Sequence, residues 1–161
     1  MRGAVIVLVA GLGCGGTSSD GSTGGPSTVA GTIQGVKWSR VASAYWIGMP
    51  SAPPPTAFVF LLESATSCAA ISTPNWDKII GNEQVLELEL REPALTTLQV
   101  PAQAAAAYLR GAYNPSAESG TVTVSRLTPG QSLAGGFEAR FAGEALTGTF
   151  EAAYCPSGVE P

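Results

Sequence analysis

An all-β fold, either a single antiparallel β-sandwich or a small β-barrel of about seven to eight strands with one or two short helical turns, is what this sequence predicts. Three observations predict it. From Thr28 onward apolar and polar residues alternate mostly with a period of two, the spacing of a half-buried strand. The alternating runs are short and are separated by turn sequences rich in Pro and Gly. Near the C-terminus, Gly135-Gly136-Phe137-Glu138-Ala139-Arg140-Phe141 is echoed by Gly148-Thr149-Phe150-Glu151-Ala152-Ala153-Tyr154. The sandwich is the preferred architecture of the two.

The elements follow in order. Val29–Gln34, Val41–Ile47 and Ala57–Leu62 read as strands, the last apolar throughout and therefore central in its sheet. Pro50-Ser51-Ala52-Pro53-Pro54-Pro55 is a stiff exposed loop, because proline cannot donate to a ladder. Ser64 to Ile71 is expected to form a short helical turn carrying Cys68. A second is expected at Thr73-Pro74-Asn75-Trp76-Asp77, where a capping threonine precedes proline and Gly81 closes the turn. Val85-Leu86-Glu87-Leu88-Glu89-Leu90-Arg91 is the clearest strand, leucines on one face and charges on the other. The alanine-rich run Pro101–Gly111 has high helix propensity, yet it ends in the strand-like Tyr108-Leu109-Arg110-Gly111-Ala112-Tyr113. Strand is the preferred reading there, helix the alternative. Thr121–Ser125 is β-branched and follows the turn signal Ala117-Glu118-Ser119-Gly120. The two echoed segments, joined by Ala142-Gly143-Glu144-Ala145, form a hairpin with Phe137, Ala139, Phe141, Phe150, Ala152 and Tyr154 inward. With the strand at 121–127 they make an antiparallel meander.

The N-terminus carries a different signal. Met1-Arg2-Gly3 precedes an apolar run from Ala4 to Ala10, and Gly11-Leu12-Gly13 leads into Cys14. One positive charge, a short apolar run and small residues before a cysteine make a secretory signal; the run is about half the length of a spanning helix. The segment resembles a bacterial lipoprotein signal, with the small Gly13 immediately before Cys14 and Gly15-Gly16 after it. That resemblance implies cleavage before Cys14 and its lipidation by a diacylglyceryl group with a further acyl chain, a number of chains that anchors stably. Ordinary secretion is the alternative. Gly15 to Ser27 offers nothing apolar to pack and reads as a flexible tether of roughly 20 Å. The chain thus divides into a signal peptide (1–13), lipidated Cys14 and tether (14–27), a β domain (28–155) and a flexible tail (156–161).

With Cys14 assigned to lipid, Cys68 and Cys155 remain as an even pair, and in an oxidising compartment they are expected to form a disulfide. Two cysteines and no histidine make a poor metal site, so no metal or cofactor is expected. The absence of histidine also excludes imidazole-based triads, and no nucleophile elbow, phosphate loop or dinucleotide fingerprint is present. Glu87 and Glu89 share a strand face and could be imagined as a catalytic pair; a solvated surface explains them better, and no catalytic residue is assigned. Glu138, Arg140 and Glu151 are expected as exposed cross-strand ion pairs. Of the aromatics Trp38, Tyr45, Trp46 and Trp76, core packing is the plainer role, while Trp46 and Trp76 are the candidates for a binding surface. The net charge of −4, with two Lys and six Arg scattered, lacks the basic patch of a nucleic-acid binder.

Signal, Gly/Ser tether, the opening Val29-Ala30-Gly31-Thr32 and the closing Gly148-Thr149-Phe150-Glu151-Ala152-Ala153-Tyr154-Cys155 are similar to small uncharacterised lipoproteins of GC-rich Gram-negative bacteria. The resemblance implies a compact β fold in the cell envelope, attached to a membrane through its lipid, and assigns no activity. A non-catalytic, envelope-anchored structural or protein-interaction role is the expected function, with binding of a small ligand or carbohydrate as the alternative. Gly15 carries no inner-membrane retention signal, which favours the outer membrane.

Overall fold

The computed structural model describes residues 27–38, 40–49, 55–72 and 81–156. The expected signal, Cys14, nearly all of the tether, the proline loop at 50–54, the helical turn at 73–77 with Trp76, and the tail beyond 156 lie outside the described residues. In chain order the elements are β1 (Thr28–Ile33), β2 (Val36–Lys37), β3 (Ser43–Met49), β4 (Thr56–Leu62), α1 (Cys68–Ile71), β5 (Val85–Arg91), β6 (Thr97–Val100), β7 (Ala104–Leu109), β8 (Ser119–Thr128), β9 (Ser132–Phe141) and β10 (Glu144–Tyr154).

Eight strands form one sheet in the order β6-β8-β9-β10-β3-β4-β5-β7. It coils until β6 and β7, joined by the short turn 101–103, pack against each other. The result is a nearly closed barrel, the second of the two predicted architectures. β1 lies against β10 and is folded back on itself by β2. The contested alanine run is strand β7, because Ala104, Ala106 and Tyr108 alternate inward and are buried. Beside the inward leucines of β5, small side chains fit the barrel's width, so packing overrides helix propensity.

One pairing departs from a purely antiparallel sheet. β10 is eleven residues long, and its edge away from β9 is divided between two strands. Residues 146–149 hold β1 antiparallel, and Ala153-Tyr154 pair with Tyr45-Trp46 of β3 in parallel. β1 runs against β10, the β1–β2 turn reverses the chain, and β3 therefore arrives pointing the same way as β10.

The meander β8-β9-β10 is present with the expected inward faces, and its register explains the echoed motifs. Phe137 lies opposite Gly148, and Gly135 lies opposite Phe150. Each aromatic ring covers the inner face of the facing glycine: a Cβ on Gly148 would stand 3.0 Å from the Phe137 ring, and one on Gly135 2.7 Å from the Phe150 ring. Glycine in a strand permits the sharp coiling that closes a barrel, and the ring restores the lost contact area.

The interior is filled. Val59 and Leu61 of β4, Leu86, Leu88 and Leu90 of β5, and Leu133, Phe141 and Leu146 of the meander are all fully buried in it. Each such side chain contributes about 1.5–3 kcal/mol. A second apolar cluster lies on the outer face, where Ile47, Phe60, Leu62 and Val85 meet Ile71 of α1 and Cys155. β4 is thus apolar on both faces, as its sequence predicts. The disulfide Cys68–Cys155 is formed, with Cα atoms 5.6 Å apart, and binds α1 to the end of β10 over this cluster.

The outer charges differ from expectation in two places. Glu138 pairs with Arg140 on its own strand at 2.6 Å, while Glu151 is reached by Arg126, which extends over Ala134. Glu87 is half-buried rather than solvated, because Phe60 stands beside it in register at the edge of the outer apolar cluster. Burial, and secondarily the neighbouring Glu89, raises its pKa above the usual carboxylate value. A folded-state pKa above the unfolded one means that stability is complete below the unfolded value and is lost as pH rises through the raised value. Glu87→Gln is therefore expected to stabilise the protein at neutral pH and to leave it unchanged in acid. Urea melts at pH 7 and in acid check this; an equal effect at both would exclude the linkage.

Candidate functional site

Three turns meet at one end of the barrel, and each is held by backbone bonds. The β1–β2 turn places Gln34 and Gly35 at φ of 50° and 72°, and the Glu144 carboxylate accepts from the Gln34 N–H at 2.7 Å. Glycine or a residue tolerant of left-handed backbone is what such a hairpin turn requires. The turn after β7 is closed by reciprocal bonds between Arg110 and Tyr113 at 2.9 and 3.1 Å, with Gly111 at φ 59°. Gly111 N–H donates to the Gly81 carbonyl at 3.2 Å, lashing this turn to the loop before β5. That positive φ favours glycine, and a Cβ at Gly111 would displace the Asn82 side-chain oxygen, 2.6 Å away.

Between these turns opens a pocket of about 320 Å³ lined by Ile33, Gln34, Asn82, Tyr108, Arg110 and Tyr113. Its floor is aromatic. Tyr108 is buried, with Trp38 edge-on at 6.1 Å behind it and Tyr113 edge-on at 6.0 Å toward the opening. The Tyr108 hydroxyl donates to Oε1 of the buried Gln84 at 3.0 Å, whose amide donates to Glu63 at 3.1 Å and to the Lys37 carbonyl at 3.4 Å. Every polar atom of this buried chain is satisfied, which makes the floor rigid. Burial raises the Tyr108 pKa above its ordinary value, so the phenol remains a neutral donor.

The rim is polar and, among the described residues, carries one cation. Arg110 donates through Nε to the Asn82 carbonyl at 3.4 Å and has no ion-pair partner among the described residues. The nearby carboxylates are turned to other donors, Glu144 to the β1–β2 turn and Glu63 to Gln84. Side chains of this kind can hold a small molecule by ring contact and hydrogen bonds. Among the described residues, no group of three His, Cys, Asp or Glu could hold a metal ion.

The residues singled out in the sequence are elsewhere. Trp46 is 6 % exposed, its ring inside the barrel against Tyr154 at 4.8 Å, and its indole N–H has no acceptor among the described residues. It is a core residue, not part of a surface. Trp38 is buried, and Tyr45 donates its hydroxyl to the Thr66 carbonyl at 2.8 Å. Sequence reasoning missed the pocket because its lining comes from three separate turns. One signal was available: Arg91 and Arg140 each have a glutamate two residues earlier, where Arg110 has Tyr108. Among the described residues no helix is long and apolar enough to cross a membrane. Comparison of the whole chain with family models, with curated proteins and with solved structures returns no match.

Proposed function

We propose that this chain is a non-catalytic lipoprotein of the bacterial cell envelope, held at the outer membrane by lipid on Cys14, whose barrel binds a small ligand at its rim. The observation that carries the binding reading is the pocket of about 320 Å³, with an aromatic floor, a polar rim and walls fixed by backbone bonds. This volume is at the lower end of the roughly 300–1,000 Å³ of small-molecule sites. The disulfide supports an oxidising, extracytoplasmic location, in keeping with the lipoprotein-like leader. A protein-interaction role through an added strand has less support. β6 has only four residues, and the outer edge of β7 bonds to Pro115 and Ala117.

One preparation tests both parts. Expressed with its entire N-terminus, the protein is expected in the membrane fraction with acylated Cys14 as its first residue. The same protein, ¹⁵N-labelled and titrated with a panel of small metabolites, is expected to shift the amides of Gln34, Asn82 and residues 110–113. A soluble product retaining its leader defeats the anchor, and a panel that leaves those amides unmoved defeats the pocket.

A further inference from the structure

Resting on that reading, we propose that the pocket takes a single-ring carboxylate, with the Arg110 guanidinium gripping the acid and the ring lying against Tyr113 at the opening. The inference begins with the arginines on the barrel's outer strands. Arg91, Arg126 and Arg140 each lie against a glutamate, Glu89, Glu151 and Glu138 respectively. Among the described residues Arg110 alone of the pocket's lining carries charge, and no carboxylate lines the pocket with it. Its Nε bond to the Asn82 carbonyl steadies the side chain while the two terminal nitrogens keep their donors. A planar fork with free parallel N–H groups matches a carboxylate, which accepts two bonds at once.

The remaining lining selects against other anions. Asn82 and Gln34 offer amide donors, and the Tyr113 hydroxyl has no partner among the described residues. A phosphate or sulfate would call for several cations or a cluster of backbone N–H groups, and among the described residues this site has a single guanidinium. Tyr113, half-buried at the opening, instead supplies apolar area for a ring, above the fully buried Tyr108 and Ile33. The size agrees: about 320 Å³ is room for one ring and its acid at the lower end of small-molecule sites. The ring could be aromatic or a uronic acid, and both present the same carboxylate.

The test is calorimetric titration of the full-length protein at low salt with four probes: benzoate, benzamide, glucuronate and glucose. One acid is expected to bind at least about tenfold more tightly than its neutral counterpart, since charge-assisted bonds are roughly twice as strong as neutral ones. Which acid it is identifies the ring. In Arg110→Gln the preference is expected to fall below about twofold, while Arg110→Lys, which keeps the charge and loses the fork, retains part of it. Added salt should shrink the preference in the wild type, because Arg110 is exposed. Equal binding of acid and neutral probe, or an acid preference that survives Arg110→Gln, overturns the proposal. If none of the four binds while other small molecules shift the pocket amides, the carboxylate assignment alone is wrong. If nothing shifts those amides, the pocket reading falls with it.

Discussion

Replacing Cys68 and Cys155 together by alanine is expected to remove about 4–5 kcal/mol of stability, from the loop-closure entropy of so large a ring. The two cysteines are 87 residues apart, so the bond closes more than half of the domain into one loop. Domains of this kind are stable by roughly 5–15 kcal/mol, and the loss would take a large share of that. A second effect adds to it in the native state. α1 is a single turn of four residues, too short to persist alone, capped by the Ser67 hydroxyl at the Ala70 N–H and by the Ser72 hydroxyl on the Cys68 carbonyl. The disulfide holds this turn over Ile47, Phe60, Leu62 and Val85, and Cys155 itself is fully buried there. Equilibrium denaturation in urea is expected to show a lower midpoint and a steeper slope, since the unlinked chain exposes more surface on unfolding. A double variant within about 1 kcal/mol of the wild type would show that the staple contributes little to stability.

Gly148→Ala is expected to cost about 3 kcal/mol or more, the upper range of overpacking in a filled core. The position faces the barrel interior, opposite Phe137 on one side and Val29 on the other. A Cβ there would stand 1.9 Å from the Thr28 carbonyl oxygen and 3.0 Å from the Phe137 ring. Backbone cannot yield as a flexible side chain can, so β1 must move off β10. Gly136→Ala is the control. Its Cβ would come no nearer than 3.3 Å to the Gly148 oxygen, and the change is expected to cost about 1 kcal/mol or less. Hydrogen exchange should accelerate at the β1–β10 ladder in Gly148→Ala and stay unchanged in Gly136→Ala. Equal stability of the two variants would mean that the aromatic-over-glycine packing does not constrain the sheet.

These particulars mark how far sequence reasoning reaches. The leucines of β5 and the Phe-Ala-Phe face of β9 were legible because alternation is a local property of a strand with one wet face. β6 was missed, since Thr97-Leu98-Gln99-Val100 offers only two alternations and becomes a strand by pairing with β8. Trp46 was ambiguous for the opposite reason: tryptophan suits a core and a binding surface equally, and only the inward register of β3 decides between them. Glu87 looked like a wet residue because its own strand alternates perfectly; its burial comes from Phe60 on the neighbouring strand.

By itself the sequence determined the strand character, the inward faces of the meander and the one partner available to each domain cysteine, because these follow from spacing and residue type. Barrel closure, the parallel meeting of β10 with β3 and the rim pocket were decided only by the tertiary structure. Closure depends on β6 reaching β7, the parallel meeting on Trp46 finding Tyr154, and the pocket on bringing Gln34, Asn82 and Arg110 to one end. Such contacts between residues far apart in the chain are written in no local pattern; they arise when long coiled strands divide one edge between two partners.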